Sequence, residues 1–252
     1  LLGGMAWLVS LARANVNLVD AVWSLFFLAT ALGYTFLAAP AGVRMPMVLA
    51  LTALWSLRLA GHLLARNWGQ PEDRRYQATR RKHSPGFAWK SLYLVFGLQA
   101  LLAWLISMPL HAAIVSQAPL NWLDAMGVAL LLAGLLIEAL ADRQSRRFKA
   151  NPGHAGQVMD QGLWRYSRHP NYFGEACVWW GFGLIALAAG SGLSLMAPLL
   201  MTVLLLKVSG VALLEKDIAE RRPAYRNYIA RTSVFIPWPP RPDDRLHKVE
   251  PT

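Results

Sequence analysis

The chain has 252 residues, of which 55% are hydrophobic and 15% are charged, and its formal net charge is +11. A soluble domain carries about 25% charged residues, so this composition indicates a protein that crosses a membrane several times. A single cysteine excludes a disulfide framework and a cysteine-rich zinc site, and we predict no bound metal.

Apolar stretches near the length of roughly 17–25 residues that crosses a bilayer recur along the chain. In chain order the predicted spans are Leu1–Ala12, Val19–Ala39, Pro46–Ala65, Trp89–Val115, Leu123–Leu140, Tyr172–Ala189 and Leu193–Leu214. The first is short, and a secretory signal is the alternative; because no basic segment precedes it, we interpret it as a span. The sequence therefore predicts an all-α integral membrane protein of about seven transmembrane helices.

Basic residues are distributed unevenly between the loops. With seven spans, 21 of the 25 lysines and arginines fall on one side of the membrane. Since loops rich in lysine and arginine stay in the cytoplasm, we expect the N-terminus outside and the C-terminus in the cytoplasm, in a bacterial inner membrane. This bias accounts for the net charge, so we predict no nucleic-acid partner. Residues 237–252 are rich in proline and charge and are predicted to be a flexible tail.

Several ionisable residues lie inside the predicted spans, where their burial is costly and indicates a functional site. Asp20 begins the second span, Arg58 and His62 are one helical turn apart on the third, and Glu175 lies in the first turn of the sixth. Snorkelling and ion pairs between helices are the alternatives. We interpret Asp20, Arg58 and Glu175 as lining a polar cavity.

The fifth span is prolonged by a polar helical segment. Asp142, Arg146 and Lys149 stand at positions i, i+4 and i+7, so they share one face of this helix. Arginine forks bind phosphate oxygens in pairs, which makes this face suited to a phosphorylated ligand. A patch that binds anionic lipids is the alternative.

A second polar segment, residues 162–175, leads into the sixth span. Pro170 suits the first turn of a helix, and the free backbone N–H groups of that turn favour an anion. The candidate ligand-binding residues here are Trp164, Tyr166, Ser167, Arg168, His169, Asn171, Tyr172 and Glu175. So many polar and aromatic groups together favour a binding site over a purely structural turn.

A third polar segment follows the last span. It contains Lys216 and Asp217, and then Tyr225 and Tyr228, which share a face of a short amphipathic helix. A helix on the membrane surface and a lid over a cofactor are both consistent with this pattern. The loop 67–76 carries both signs of charge and is a candidate wall of the same site. No glycine-rich dinucleotide motif and no phosphate-binding loop occurs.

Residues 162–175 and 215–237 resemble the steroid 5-alpha-reductase superfamily, most closely its bacterial DUF1295 branch. The wider clan also contains sterol C14 and C24(28) reductases and isoprenylcysteine carboxyl methyltransferases. The resemblance implies NADPH bound in a cytoplasm-facing pocket among the C-terminal helices. The cofactor-binding residues it implies are Asp142, Arg146, Lys149, Trp164, Tyr166, Ser167, Arg168, His169, Asn171, Tyr172, Glu175, Lys216, Asp217, Tyr225 and Tyr228.

The sequence departs from the steroid reductases where those enzymes polarise the substrate carbonyl. They use a Gln-Glu pair and a tyrosine, whereas this chain has no such pair and has Trp55 at the tyrosine position. Asp20 is our candidate acid, alone or with Arg58 or His62. We expect residues 1–236 to form one domain, with 1–115 on the substrate side and 123–236 on the cofactor side.

The leading hypothesis is reduction of a carbon-carbon double bond conjugated to a carbonyl, by hydride transfer from NADPH. The substrate is expected to be steroid-like or otherwise lipophilic and to enter from the bilayer. One alternative is an S-adenosylmethionine-dependent methyltransferase of the isoprenylcysteine carboxyl methyltransferase type. A second is a lipid-binding membrane protein without catalytic activity. Arg146 and Lys149 favour the reductase, because a dinucleotide carries phosphates and S-adenosylmethionine has none.

Overall fold

The computed structural model describes residues 1–37, 42–216 and 218–242, and every regular element within them is helical. In chain order the α-helices are α1 (Leu2–Arg13), α2 (Leu18–Leu37), α3 (Arg44–Asn67), α4 (Arg74–Lys82), α5 (Phe87–Ile106), α6 (Met108–Val115), α7 (Trp122–Ala150), α8 (Pro170–Ala188), α9 (Met196–Val203), α10 (Val211–Glu215), α11 (Ile218–Arg221) and α12 (Tyr225–Arg231). A π-helical turn, Leu92–Gly97, lies within α5, and a second, Leu204–Val208, follows α9. The predicted all-α class is confirmed for the described residues.

In the part of the chain that the structure describes, five helical segments are long and apolar enough to cross a membrane. They are Leu18–Leu37, Arg44–Asn67, Phe87–Ile106, Trp122–Ala150 and Gly192–Arg221. The first predicted span forms α1, whose 12 residues are fewer than a bilayer requires. The sixth forms α8, whose first two turns contain the polar residues Asn171 and Glu175. A multi-pass membrane protein is thus supported, and the count of seven spans stays a prediction.

The fourth predicted span, Trp89–Val115, is not one continuous helix. Helix α5 ends at Ile106. After one intervening residue, Ser107, α6 begins at Met108 with Pro109 in its first turn. Proline has no N–H to donate back along the helix, so the hydrogen-bond ladder stops there. At the break the Ser107 Oγ donates to the Trp104 carbonyl at 2.6 Å and lies 3.0 Å from the Tyr34 hydroxyl.

The chain divides into two compact units. The first contains residues 1–123 and 185–197, and the second contains residues 124–184 and the chain from 198 onward. In the first unit, α2 packs along α3. The buried rings of Phe27 and Trp55 meet edge to face with centroids 5.6 Å apart, and Ser24 Oγ donates to the Ser56 carbonyl at 2.9 Å. This packing brings the beginning of α2 beside the end of α3.

In the second unit, α7 and α8 approach each other through two pairs of glycines spaced seven residues apart. A Cβ atom added to Gly134 would lie 2.6 Å from the Gly174 carbonyl oxygen, and one added to Gly181 would lie 2.6 Å from the Gly127 oxygen. Seven residues are about two helical turns, so both pairs lie on the same line of contact. The backbones therefore touch, and the first turns of α8 lie beside Glu138 of α7.

Candidate functional site

Asp20 lies at the centre of a polar cluster in the first unit. Its Oδ1 accepts a hydrogen bond of 2.6 Å from the Tyr76 hydroxyl, and Gln99 Nε2 donates to that hydroxyl at 3.4 Å. The guanidinium nitrogens of Arg75 and Arg66 lie 3.6 and 3.8 Å from Asp20 Oδ2. Only 14% of the Asp20 side chain is exposed. We call these five residues the acid cluster.

The α1–α2 loop positions Tyr76 by fixing the start of α4. The Asn17 side chain accepts from the Asp73 backbone N–H at 2.8 Å and donates to the Pro71 carbonyl at 3.0 Å. Asp73 in turn caps α4, because its carboxylate accepts from the Arg75 N–H at 2.9 Å. These contacts hold the first turn of α4 against Asp20.

An ion pair between Glu72 and Arg80 holds the last part of α4 in place. Arg80 donates to both oxygens of Glu72 at 2.7 Å, and Glu72 also accepts from the Val16 backbone N–H at 3.0 Å. Burial by itself raises the pKa of Glu72, but the hydrogen bond and charge of Arg80 hold that pKa below its ordinary value. The hydrogen bond to Glu72 raises the pKa of Arg80. The pair is therefore fully ionised at neutral pH.

Tyr76 is a neutral phenol with an anionic neighbour. Burial of its hydroxyl, followed by the charge of Asp20 and the hydrogen bond to it, raises the pKa of Tyr76 well above its ordinary value. Tyr76 therefore keeps its proton at neutral pH and is the donor to Asp20. The acid cluster combines a phenol proton, a carboxylate and two guanidinium groups, a set that can donate a proton and stabilise the charge left behind.

The structure gives Asp20 partners that the sequence did not indicate. Arg58 and His62 are half-buried on α3, one turn apart as predicted, and their catalytic role stays a prediction. Trp55, at the position the resemblance assigns to a tyrosine, is fully buried in the core. Tyr76 is the functional candidate that sequence reasoning missed. The available signal was its place at the end of the charged loop 67–76.

A second polar cluster lies in the second unit and is centred on Glu215. Arg168 Nε and Nη2 donate to the two carboxylate oxygens of Glu215 at 2.8 and 2.9 Å, and His169 Nε2 lies 2.9 Å from Oε1. Arg168 Nη1 donates to the carbonyls of Ile229 and Thr232 at 3.0 and 2.8 Å. The buried Arg168 thus joins the segment before α8 to the ends of α10 and α12. We call Arg168, His169 and Glu215 the Glu215 cluster.

An aromatic pair stands at the beginning of α8, next to the Glu215 cluster. The rings of His169 and Tyr172 stack with centroids 5.6 Å apart and planes inclined by 7°. A Cβ atom at Gly210 would lie 3.1 Å from the Tyr172 ring, so a glycine there lets the chain after the second π-helical turn pass close to Tyr172. The stack places a flat aromatic surface at the N-terminal turn of α8. The ligand-binding role of both residues stays a prediction.

Tyr225 and Tyr228 lie on α12, in the same region as the Glu215 cluster. Their rings meet edge to face with centroids 5.2 Å apart. Burial, followed by the charge of Glu215, raises the pKa of Tyr225 to about 12, and burial raises the pKa of Tyr228 still further above its ordinary value. The Tyr228 hydroxyl donates to the carbonyls of Trp164 and Ser167, so this residue supports the loop before α8.

The loop before α8 is fastened on two sides. Gln144 of α7 accepts from the Leu163 N–H at 2.9 Å, and the Trp164 indole donates to the Ala141 carbonyl at 3.0 Å. Hydrogen bonds also join this loop to the C-terminal segment. Ser167 Oγ donates to the Phe235 carbonyl at 2.7 Å, and the Arg168 N–H donates to the Ser233 carbonyl at 2.8 Å. In the other direction, the Trp238 N–H donates to the Tyr166 carbonyl at 2.9 Å. The predicted tail thus begins with a bonded stretch, and residues 243–252 lie outside the described part of the chain.

The other predicted cofactor residues occupy two elements. Asp142 and Glu175 are buried on α7 and α8, whereas Arg146 and Lys149 are exposed on the C-terminal part of α7. Asn171 is half-buried and Lys216 is exposed, and Asp217 lies outside the described residues. Within the described ranges, no group of three histidine, cysteine or acidic side chains is arranged for a metal ion. The cofactor-binding role of all these residues stays a prediction.

Comparison with known proteins gives two matches. A family described as "Protein of unknown function (DUF1295)" matches residues 6–232. The uncharacterized protein C594.04c of Schizosaccharomyces pombe (strain 972 / ATCC 24843) is 26% identical over 268 residues, which cover 94% of this chain and 77% of that protein. No solved structure matches. The family resemblance read from residues 162–175 and 215–237 is confirmed.

Proposed function

The chain belongs to the DUF1295 family, part of the steroid 5-alpha-reductase superfamily of membrane enzymes, and on this premise we propose that it is an NADPH-dependent reductase. The reaction is reduction of a carbon-carbon double bond conjugated to a carbonyl. The substrate is a steroid-like or other lipophilic molecule that enters from the bilayer. Family membership over residues 6–232 is the observation that carries the proposal.

The side chains of the second unit fit a phosphorylated dinucleotide. Arg146 and Lys149 are exposed cations on one face of α7, and no described carboxylate pairs with Arg146. Asp142 and Glu175 offer buried carboxylates that accept hydrogen bonds from hydroxyl or amide groups. Tyr172 and its stacked neighbour offer an aromatic surface. NADPH, when bound by these residues, supplies the hydride.

In this proposal Arg168 has a supporting role within that site. Its guanidinium already donates to Glu215 and to two backbone carbonyls, and its side chain is only 9% exposed. A phosphate would have to compete with a carboxylate held by two hydrogen bonds. We therefore expect Arg168 to shape the site, and Arg146 and Lys149 to bind the phosphates.

The acid cluster supports the proton-transfer half of the reaction. Hydride addition to the β-carbon moves an electron pair to the carbonyl oxygen, and a proton must then reach the α-carbon or that oxygen. Tyr76 is the proton donor in this proposal, because it is a neutral phenol whose O–H already donates a hydrogen bond to Asp20 Oδ1. The guanidinium of Arg75, 5.5 Å from the Tyr76 ring centroid, stabilises the phenolate that remains. Asp20 orients the phenol before transfer.

Deuterium transfer tests this function. The full chain in detergent is incubated with NADPH deuterated at both C4 positions of the nicotinamide and with a 4-en-3-one steroid or a long-chain linear enone. We expect a product containing one deuterium at the β-carbon and one solvent hydrogen at the α-carbon, measured by mass spectrometry and NMR. A reduced product without deuterium, or methylation from added S-adenosylmethionine, would overturn the proposal.

A further inference from the structure

A cavity of about 400 Å³ opens in the first unit, and it is lined by other residues than those of the acid cluster. It lies where α1 ends, α2 begins and α3 ends. Polar residues of the two connecting loops, such as Asn15 and Gln70, line one side of it, and apolar residues such as Leu18 and Leu63 line the other. The cavity is therefore amphipathic, with a polar rim and an apolar wall.

Arg13 is the charged residue that lines this cavity. Its guanidinium carbon lies 4.2 Å from the centroid of the Trp68 ring, which holds the cation in place by a cation–π contact. Among residues 1–37, 42–216 and 218–242, none accepts a hydrogen bond or forms an ion pair with Arg13.

The acidic residues closest in sequence to the cavity do not neutralise Arg13. Asp20 is bound by Tyr76 and Arg75, and Glu72 is bound by both nitrogens of Arg80. Among the described residues that line the cavity, none has a carboxylate. The positive charge of Arg13 therefore favours an anion in this cavity.

The position of the cavity favours an amphiphile over a free ion. Helices α2 and α3 are both candidate membrane spans, and the cavity lies beside the first turn of α2 and the last turn of α3, which we expect at one membrane surface. Tryptophan and arginine are suited to this boundary, where lipid head groups lie beside the hydrocarbon. We propose that the cavity binds an anionic amphiphile, whose carboxylate or phosphate pairs with Arg13 and whose apolar chain lies along Leu18 and Leu63.

Binding measurements on the full chain test this site. The protein, in nanodiscs of phosphatidylcholine, is titrated with oleate, with its neutral analogue oleyl alcohol and with inorganic phosphate, and bound ligand is counted by native mass spectrometry. We expect one oleate per chain, bound about tenfold more tightly than oleyl alcohol, since a charge-assisted hydrogen bond is worth about that much. Arg13→Gln should reduce this ratio to near one, whereas Arg81→Gln, an exposed cation on α4, should leave it unchanged.

A second variant tests the contact with the ligand's apolar chain separately from the contact with its charged group. Leu63→Ser should weaken oleate and oleyl alcohol by the same factor and leave their ratio intact, because it removes only apolar contact. The proposal is overturned if Arg13→Gln keeps the tenfold ratio, if Arg81→Gln loses it equally, or if inorganic phosphate displaces oleate at equal concentration. The measurement needs no NADPH, so its outcome is separate from that of the proposed reductase.

Discussion

Tyr76 has the properties of a proton donor because of what surrounds its hydroxyl. The phenol donates to Asp20, accepts from Gln99 and has a guanidinium above its ring. Each neighbour acts on a different state of the residue: Asp20 holds the neutral phenol, and Arg75 stabilises the phenolate. This pairing is what a residue that gives up a proton and regains it requires.

Replacing Tyr76 with phenylalanine removes the proton and keeps the ring. We expect Tyr76→Phe to lower the rate of enone reduction by at least about 100-fold, the usual contribution of a general acid, without changing NADPH affinity. Tyr93→Phe, an exposed tyrosine on α5, is the matched control and should retain full activity. Full activity in Tyr76→Phe would remove this residue from the chemistry.

Glu215 illustrates how one half-buried acid can hold several elements together. Its two oxygens receive the hydrogen bonds of Arg168 and His169, so neutralising it leaves a guanidinium with 9% exposure uncompensated. We expect Glu215→Gln to lower the free energy of unfolding by about 2–4 kcal/mol, measured by denaturant titration in detergent. Glu220→Gln, an exposed acid on α11, should change it by less than about 0.5 kcal/mol. Equal effects of both would contradict this assignment.

At the scale of elements, α4 is a nine-residue helix held mainly by polar contacts. None of its residues is buried, and its fixed points are the Asp73 cap, the Tyr76 hydroxyl and the Glu72–Arg80 pair. Hydrophobic patterning does not place such a helix. The attachment of α4 to the rest of the first unit must therefore weaken when pH or a single substitution removes one of these polar contacts.

The Glu72–Arg80 pair predicts the direction of that pH dependence. Because the folded-state pKa of Glu72 lies below its ordinary value of about 4.3, its stabilising contribution is fully present above that value and is lost as pH falls through the folded pKa. The unfolding temperature of wild type should exceed that of Glu72→Gln at pH 6, and the difference should shrink below pH of about 4. A difference that grows on acidification would contradict the pairing.

The contact between α7 and α8 depends on the absence of side chains at its glycines. Leucine at Gly134 would collide with the Gly174 carbonyl and with Cys177, which cannot move without separating the helices. We expect Gly134→Leu to destabilise the second unit by more than about 3 kcal/mol, or to prevent recovery of monodisperse protein. Gly33→Leu faces open space on α2 and should be recovered normally. Equal recovery of both variants would argue against this packing.

At the scale of the whole molecule, the sequence predicts the helices better than the contacts between them. Apolar length predicts seven spans, and among the described residues five helical segments are long and apolar enough to cross a membrane. The break at Ser107 depends on one proline, which apolar length does not reveal. Asp20 is recognisable as a charge inside a span. Its partner Tyr76 lies 56 residues away and is brought there by polar loop contacts that leave no periodic signal.

The contacts within the candidate cofactor site were likewise not predictable from the sequence. Its residue types were predictable because arginine, histidine, tyrosine and glutamate cluster in residues 162–175. Spacing alone does not distinguish an arginine that binds phosphate from one that bridges segments of the fold, and Arg168 has the contacts of the second kind. Only the three-dimensional arrangement separates it from the exposed Arg146.

The measurement that tests the reductase most directly is the thermal stability of the detergent-solubilised full chain with NADPH, NADH or S-adenosylmethionine. A ligand that binds only the folded state raises the unfolding temperature in proportion to the logarithm of its concentration above its Kd. We predict that NADPH raises this temperature and that Arg146→Gln weakens the effect, whereas Arg81→Gln does not. Stabilisation by S-adenosylmethionine without any effect of NADPH would contradict the reductase and favour the methyltransferase.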